Sequence, residues 1–251
     1  MIRLEGKTAL VTGGSRGIGA ATCRLLADAG ADVAIAYHRN REAARDVADQ
    51  VRSKGVRAEI FGGDLSVEGS SRQLFNQTLE AFGQIDIVVA NAGLWRHAPI
   101  DEMTSTQWRQ TMAANLDSIY EISSEAARHM KTRKQGKIIL ISSTAGQRGE
   151  AEYSHYAASK GAVIAFTRSL AAELGPFNIN VNSVAPGWVL TDMTEDVFGD
   201  EARAAMISES IPLKRVATSE DVAGPILFLA SDLARHVQGA VINVNGGSVL
   251  C

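Results

Sequence analysis

Lys7-Thr8-Ala9-Leu10-Val11-Thr12-Gly13-Gly14-Ser15-Arg16-Gly17-Ile18-Gly19 is the stretch that decides the fold. A short apolar run passes straight into a glycine-rich turn, and the turn opens a helical pattern that continues to Ala29. That order is the start of a strand–turn–helix unit. Glycines at 13, 17 and 19 let the backbone turn sharply and approach a pyrophosphate, while the N-terminus of the following helix faces the anion. The spacing is T-G-x-x-x-G-x-G rather than the commoner G-x-G-x-x-G. In this context it predicts a dinucleotide site built on Gly13, Ser15, Arg16, Gly17, Ile18 and Gly19.

Outward from the turn, the same alternation recurs. Apolar runs at 7–12, 32–37, 57–61, 86–90, 137–142, 178–184 and 240–243 are separated by helical patterns at 17–29, 41–54, 67–82, 106–130, 153–174 and 219–230. Near-continuous apolar strands between helices predict a parallel sheet covered on both faces. The expected fold is therefore α/β, a doubly wound Rossmann-type domain with a seven-stranded parallel sheet and right-handed crossovers. No linker, repeat or low-complexity stretch divides it, so residues 1–251 are read as one domain. Residues 188–215 form the one long irregular region. Such a segment reads as a lid over a site, with a plain surface excursion as the alternative.

Composition removes several classes of function. A hydrophobic fraction of 45% and a charged fraction of 21% fit a globular protein with a sizeable core. The net charge of −3 provides no basic field for nucleic acid or an anionic membrane. Residues 1–7 lack the apolar run of a signal peptide, and nothing approaches the roughly 20 apolar residues that cross a bilayer. Cys23 and Cys251 have neither metal-ligand spacing nor the look of a disulfide framework. The expectation is a cytoplasmic protein without a metal.

The end of the second strand bears on which dinucleotide is bound. An NAD site offers an acid there to hold the ribose 2′-hydroxyl. This chain has Tyr37-His38-Arg39-Asn40, with no carboxylate before Glu42, and Arg16 lies inside the turn. Cations without an acid suit a 2′-phosphate, which a guanidinium grips bidentately. NADP(H) is preferred; reading Arg39 and Arg41 as solvated helix-start residues leaves NAD(H) open.

Tyr156-Ala157-Ala158-Ser159-Lys160 places a phenol and an ammonium one helical turn apart on the same face. A neighbouring cation favours the phenolate, so the spacing predicts a Tyr156 pKa below its usual value near 10. Ser143 stands upstream beside a second serine, Ser142. Tyr153 lacks a cation four residues on, and His155 points about 100° away around the helix from Tyr156. His97 has no partner visible in sequence.

With these pieces in order, the chain resembles the short-chain dehydrogenase/reductase family from residue 7 to 247. The matching residues are the glycine turn, Asp64, Asn91-Ala92-Gly93, Asn115, Ser143, Tyr156-x-x-x-Lys160 and Pro186-Gly187 followed by Thr191. Within the family it is most similar to the 3-oxoacyl-(acyl-carrier-protein) reductases. That similarity rests on Pro186-Gly187-x-x-x-Thr191-Asp192-Met193, Ile211-Pro212-Leu213 and Val244-Asn245-Gly246-Gly247. The resemblance implies that Tyr156 is the general acid and that Ser143 holds the substrate oxygen. It further implies that Lys160 lowers the tyrosine pKa and bonds the nicotinamide ribose, and that Asn115 anchors a proton-relay water. Asp64 and Leu65 would meet the adenine side with Tyr37 and His38. Asn91, Ala92 and Gly93 would form the cofactor floor, and Pro186, Gly187, Val189 and Thr191 would flank the nicotinamide.

The substrate wall is expected from Leu94, Trp95, Arg96, Gln147, Arg148, Tyr153, Trp188, Val189 and Met193, with Trp95, Arg148, Tyr153, Trp188 and Ser143 foremost. The function implied is an NADP(H)-dependent exchange between a ketone and a secondary alcohol, with reduction of a 3-oxoacyl thioester in fatty acid biosynthesis as first choice. Acyl-CoA or acyl carrier protein would then be the partner, the latter docking on basic residues beside the entrance, for which Arg133 and Lys134 are the candidates. Phe177 and Lys214 depart from that group's pattern, which keeps a secondary-alcohol, polyol or cyclic-alcohol dehydrogenase in play. A cofactor-binding regulator without catalysis is the reading from another class. The small residues Ala157, Ala158, Ser159, Gly161, Ala162 and Ala165 let another helix approach, and the resemblance implies that this helix and the preceding one pair across a two-fold axis in a homotetramer.

Overall fold

The computed structural model describes residues 2–250; Met1 and Cys251, the second of the two cysteines, lie outside them. Strand β1 (Thr8–Val11) sends Ala9 and Val11 into one hydrophobic layer and Leu10 into the other, all fully buried. β2 (Asp32–Tyr37) does the same with Val33 and Ile35 against Ala34 and Ala36. Such a strand has no solvent face, which is why its sequence is continuously apolar. Helices α1 (Gly17–Asp28) and α2 (Arg41–Arg52) follow these strands, and β3 (Ala58–Gly62) and α3 (Ser70–Phe82) come next.

The second half continues with β4 (Ile87–Ala90), α4 (Ser105–Met112), α5 (Ser118–Arg133), β5 (Gly136–Ile141), α6 (Ala145–Arg148) and α7 (Ser154–Leu174). It ends with β6 (Ile179–Pro186), α8 (Glu195–Phe198), α9 (Glu201–Ser210), α10 (Ser219–Ala230) and β7 (Val241–Val244). All seven strands are parallel in the order β3-β2-β1-β4-β5-β6-β7. The order reverses direction between β1 and β4, and ligands of doubly wound sheets bind at that switch point. One layer is built on α1, α2 and α10 and the opposite layer on α3, α5 and α7. Among the described residues no helix is long and apolar enough to cross a membrane.

Two readings of the sequence need correction here. The pattern at 106–130 is not one regular helix: a π-helical turn, Ala113–Asp117, joins α4 to α5 and is centred on the buried Asn115. Periodicity cannot register one wide turn, and such turns collect at functional sites. Residues 188–215 are also not irregular, because α8 and α9 lie inside them. The Asp200 side chain caps α9 by accepting from Ala202 N at 2.9 Å and Arg203 N at 3.2 Å. The helix-forming run Glu201-Ala202-Arg203-Ala204-Ala205 then carries it on.

Candidate active site

The carboxyl ends of the central strands open into one cleft of ≈ 950 Å³. At its floor, Thr12 Oγ1 accepts from Asn91 N and Ala92 N, each at 3.0 Å, and Asn91 Nδ2 donates to Thr12 O at 2.9 Å. These bonds tie the end of β4 to the glycine turn. Gly13 and Gly17 have φ of +64° and +51°, which L side chains resist. A Cβ on Gly19 would sit 2.1 Å from Gly13 O, so this glycine does not line the cleft but lets α1 pack beneath the turn. Arg16 precedes α1 with no side-chain cap, leaving the first N–H groups of the helix for an anion. The bare turn and the uncapped helix fit a pyrophosphate.

The other predicted cofactor residues line the same cleft: Ser15, Arg16, Gly17, Ile18, Tyr37, His38, Arg39, Asp64, Leu65, Asn91, Ala92, Gly93, Pro186, Gly187, Val189 and Thr191. Folding adds an acid that the local sequence lacks, because Asp64 Oδ2 lies 3.4 Å from His38 Nε2 at the end of β2. Ser66 bonds to Asp64 through both its hydroxyl, at 2.6 Å, and its backbone N, at 3.0 Å. Those two bonds hold the Asp64 carboxyl below its ordinary value, helped by His38 and Arg39. Arg16 reaches across the cleft mouth to Asp192, with Nη1 3.4 Å from Oδ2.

At the chemical end, the fold distinguishes the two serines. Ser142 Oγ points at backbone, 3.4 Å from Lys160 O and 3.5 Å from Ser143 O. Ser143 shares a hydrogen bond with the Tyr156 side chain and accepts from Ala145 N at 3.1 Å. Lys160 is buried, with Nζ donating to Ile141 O at 2.8 Å and lying 5.9 Å from the Tyr156 ring centroid. Burial pulls the Lys160 ammonium down to about 8. The Tyr156 phenol is pushed up to about 12, chiefly by burial; the Ser143 bond lowers it and the Glu150 charge adds to the rise. The expected depression by Lys160 does not emerge: desolvation of the phenolate dominates, and Lys160 is not among the groups that shift the phenol.

Asn115 does not line the cleft. Its Oδ1 accepts from Leu94 N at 2.8 Å, and its Nδ2 donates to Leu94 O at 2.9 Å and Ser159 Oγ at 3.2 Å. The side chain thereby fixes the segment that follows β4 against α7. A Cβ on Gly93 would come 3.2 Å from Asn115 Oδ1 and 3.5 Å from Lys160 Nζ, so the cofactor floor is bare backbone there.

Trp95, Arg148, Trp188, Leu94, Arg96, Val189 and Met193 line the same cleft. Tyr153 does not line it. It stacks behind Trp95 at 4.3 Å and 5° between planes, while Trp188 meets Trp95 edge-on at 5.8 Å. Gln147 also turns away, donating to Asn243 Oδ1 at 2.6 Å. His97 finds a partner in Glu152, 3.0 Å away. Glu150 is a cleft residue that sequence reading missed, since it belongs to no pattern; the Trp95 indole N–H points at its two oxygens, at 3.3 and 3.4 Å.

The candidate docking residues fall elsewhere. Arg133 and Lys134 precede β5, whose far end carries Ser143, so within the chain they stand at the amino edge of the sheet. Arg133 is committed to Asp86 at 2.8 Å, Gln84 Oε1 at 3.1 Å and Ile85 O at 3.3 Å.

A doubly wound sheet with a bare glycine turn at its switch point, and a Ser–Tyr–Lys group in the same cleft, defines a dinucleotide-dependent oxidoreductase. The chain belongs to the short-chain dehydrogenase/reductase family. The family model described as enoyl-(acyl carrier protein) reductase matches residues 13–248. The 3-oxoacyl-[acyl-carrier-protein] reductase of Aquifex aeolicus is 39% identical over 247 residues, covering 98% of each chain. A crystal structure from Beutenbergia cavernae, provisionally assigned as an NAD(P)-dependent gluconate 5-dehydrogenase and holding NADP at low occupancy, aligns with a TM-score of 0.93. It is 38% identical, with 98% of each chain covered. One from Agrobacterium tumefaciens, provisionally a 2-deoxy-D-gluconate 3-dehydrogenase with bound NADP, aligns at 0.91 with 34% identity, covering 98% of this chain and 97% of that one. The chain is thus an oxidoreductase acting on CH–OH groups, of the kind that uses NAD(P).

Proposed function

We propose that this protein interconverts a ketone and a secondary alcohol with NADP(H), with reduction of a 3-oxoacyl thioester as first choice of reaction. The observation that carries the reading is the Ser143–Tyr156 hydroxyl pair above buried Lys160, in the cleft that begins at the uncapped N-terminus of α1. The nicotinamide supplies the hydride when bound. Tyr156 gives its proton to the carbonyl oxygen, and Ser143 bonds that oxygen as charge develops. A phenol held near 12 is protonated at neutral pH, the state a proton donor starts from. Lys160 and Gly93, neighbours in the cleft, would hold the nicotinamide ribose. Arg16, His38 and Arg39 support the 2′-phosphate, as does the NADP bound by the two solved relatives.

The 3-oxoacyl assignment draws on the relatives' names. A hydroxylated ketone or polyol is the second reading, favoured by the Glu150 carboxyl in the cleft and by Arg133 lying at the other edge of the sheet. Residues 188–215 are proposed as the lid, since Trp188, Thr191, Met193 and Ile211 form one wall. A homotetramer is proposed from Trp108 and Tyr120, exposed on α4 and α5, beside exposed Ala158 and Ala165 on α7. The intact Ser143, Tyr156 and Lys160 weigh against a silent regulator. The test is nicotinamide absorbance with NADPH or NADH against acetoacetyl-CoA and a panel of ketones and alcohols. Faster turnover with NADH overturns the cofactor choice, and no turnover on any substrate overturns the enzyme.

A further inference from the structure

Glu150 is a carboxylate that the fold keeps in the cleft and leaves short of partners. An ionised carboxylate has about four acceptor sites. Glu150 receives one indole N–H, split between its two oxygens at 3.3 and 3.4 Å, beyond the ordinary range for such bonds. Half-buried carboxylates cost stability unless they are paired. Burial indeed raises the Glu150 pKa, opposed by the Trp95 bond and by the charge of exposed Arg148. Glu150 lines the same cleft as Ser143 and Tyr156, and its charge is felt at Tyr156 and at Tyr153, which also feels Arg203 and Glu152. The Trp95–Tyr153 stack and the edge of Trp188 hold the indole, and through it the carboxyl, in a fixed position. A fixed acceptor with open sites, facing the ligand space beside the proton donor, calls for a donor on the ligand.

We propose that Glu150 is a specificity-determining residue whose carboxylate accepts a hydrogen bond from an N–H or O–H of the substrate, close to the carbonyl that is reduced. This rests on the reaction proposed above and names the substrate class: carbonyl compounds carrying a donor, not bare keto chains. The donor has two chemical sources, the amide N–H of a pantetheine-like thioester arm and the hydroxyl of a polyhydroxy ketone.

The experiment compares kcat/KM for three ketones: the acetoacetyl thioester of N-acetylcysteamine, fructose, and ethyl acetoacetate, which has neither donor. In Glu150→Leu, the ratio of the preferred donor-bearing ketone to ethyl acetoacetate falls by about 10- to 100-fold, the range for a lost hydrogen bond to a charged group. Glu150→Gln, which keeps an acceptor oxygen, recovers most of it. Whether the thioester or fructose carries the loss identifies the source. A ratio unchanged within about twofold overturns the proposal. A loss equal on all three ketones, with a shift in tryptophan fluorescence, shows that the carboxyl only anchors the Trp95 indole and overturns the proposal. If wild type reduces none of the three, the reaction class fails, and calorimetry on the NADP⁺-loaded protein judges Glu150 separately. Weaker binding of the donor-bearing ketones to Glu150→Leu supports the proposal; equal or absent binding overturns it.

Discussion

Arg133→Ala separates a structural cation from a docking one. Arg133 and Asp86 form an ion pair at 2.8 Å whose side chains are 22% and 5% exposed. Asp86 also accepts from Thr8 N at 2.9 Å and Gln84 Nε2 at 3.1 Å. Removing the guanidinium leaves a buried carboxylate with only neutral donors, and it strips Gln84 Oε1 and Ile85 O of theirs. Breaking such a pair costs about 3–5 kcal/mol. With the arginine about one-fifth exposed, the lower end, ~3 kcal/mol, is expected at neutral pH. At roughly 2–4 °C per kcal/mol for a domain of this size, Tm should drop by about 6–12 °C. Thermal and urea unfolding measure this, with Asp86→Asn added to Arg133→Ala as the control that removes the stranded charge and recovers part of the loss. The ratio of kcat/KM for carrier-linked to CoA-linked acetoacetate should not move. A Tm loss below about 2 °C would refute the structural role of the pair, and a loss of rate confined to the carrier-linked substrate would show that Arg133 serves docking.

Three other outcomes follow from the site. Tyr156→Phe removes the proton donor and should cut kcat by about 10²–10⁴-fold while NADPH affinity, read by fluorescence titration, changes little. Gly19→Ala puts a Cβ 2.1 Å from Gly13 O and 2.8 Å from Asn91 Nδ2, so the turn must shift. Overpacking of about 1–3 kcal/mol and an NADPH Kd raised roughly tenfold are expected from unfolding and calorimetry, whereas Gly63→Ala, where the new Cβ meets nothing within 4 Å, should change stability little. Lys160, held at about 8 when folded against its ordinary 10.5, binds fewer protons folded than unfolded between those values, so its contribution to stability rises with pH. Tyr156, held at about 12, reverses the trend above pH 10. The Lys160 contribution should therefore rise by about 2 kcal/mol from pH 8 to 10, opposed above pH 9 by buried Cys23, which burial pushes up to about 12, and Lys160→Met should remove the rise.

The strands were legible because both faces of this sheet are covered, so Val33, Ala34, Ile35 and Ala36 are all apolar and need no register to be recognised. The cofactor residues were legible for a related reason: a phosphate-binding turn needs glycine at particular neighbouring positions, and the chain writes them in order. Less legible were contacts made by residues far apart. Asp64 reaches His38 across two strands, Asp192 reaches Arg16 across the cleft, and Glu150 reaches Trp95 between two loops. The π-helical turn at Asn115 escaped because its residues are ordinary helix formers.

The sequence by itself determined the doubly wound sheet, the dinucleotide turn and the Ser143–Tyr156–Lys160 group, because each rests on local spacing or on the apolar pattern of a covered strand. Only the tertiary structure decided that Tyr156 is raised and not lowered, that Tyr153 and Arg133 stand away from the cleft, and that Glu150 stands within it. Those outcomes depend on desolvation and on distances between segments, and neither is recorded in the order of residues along the chain.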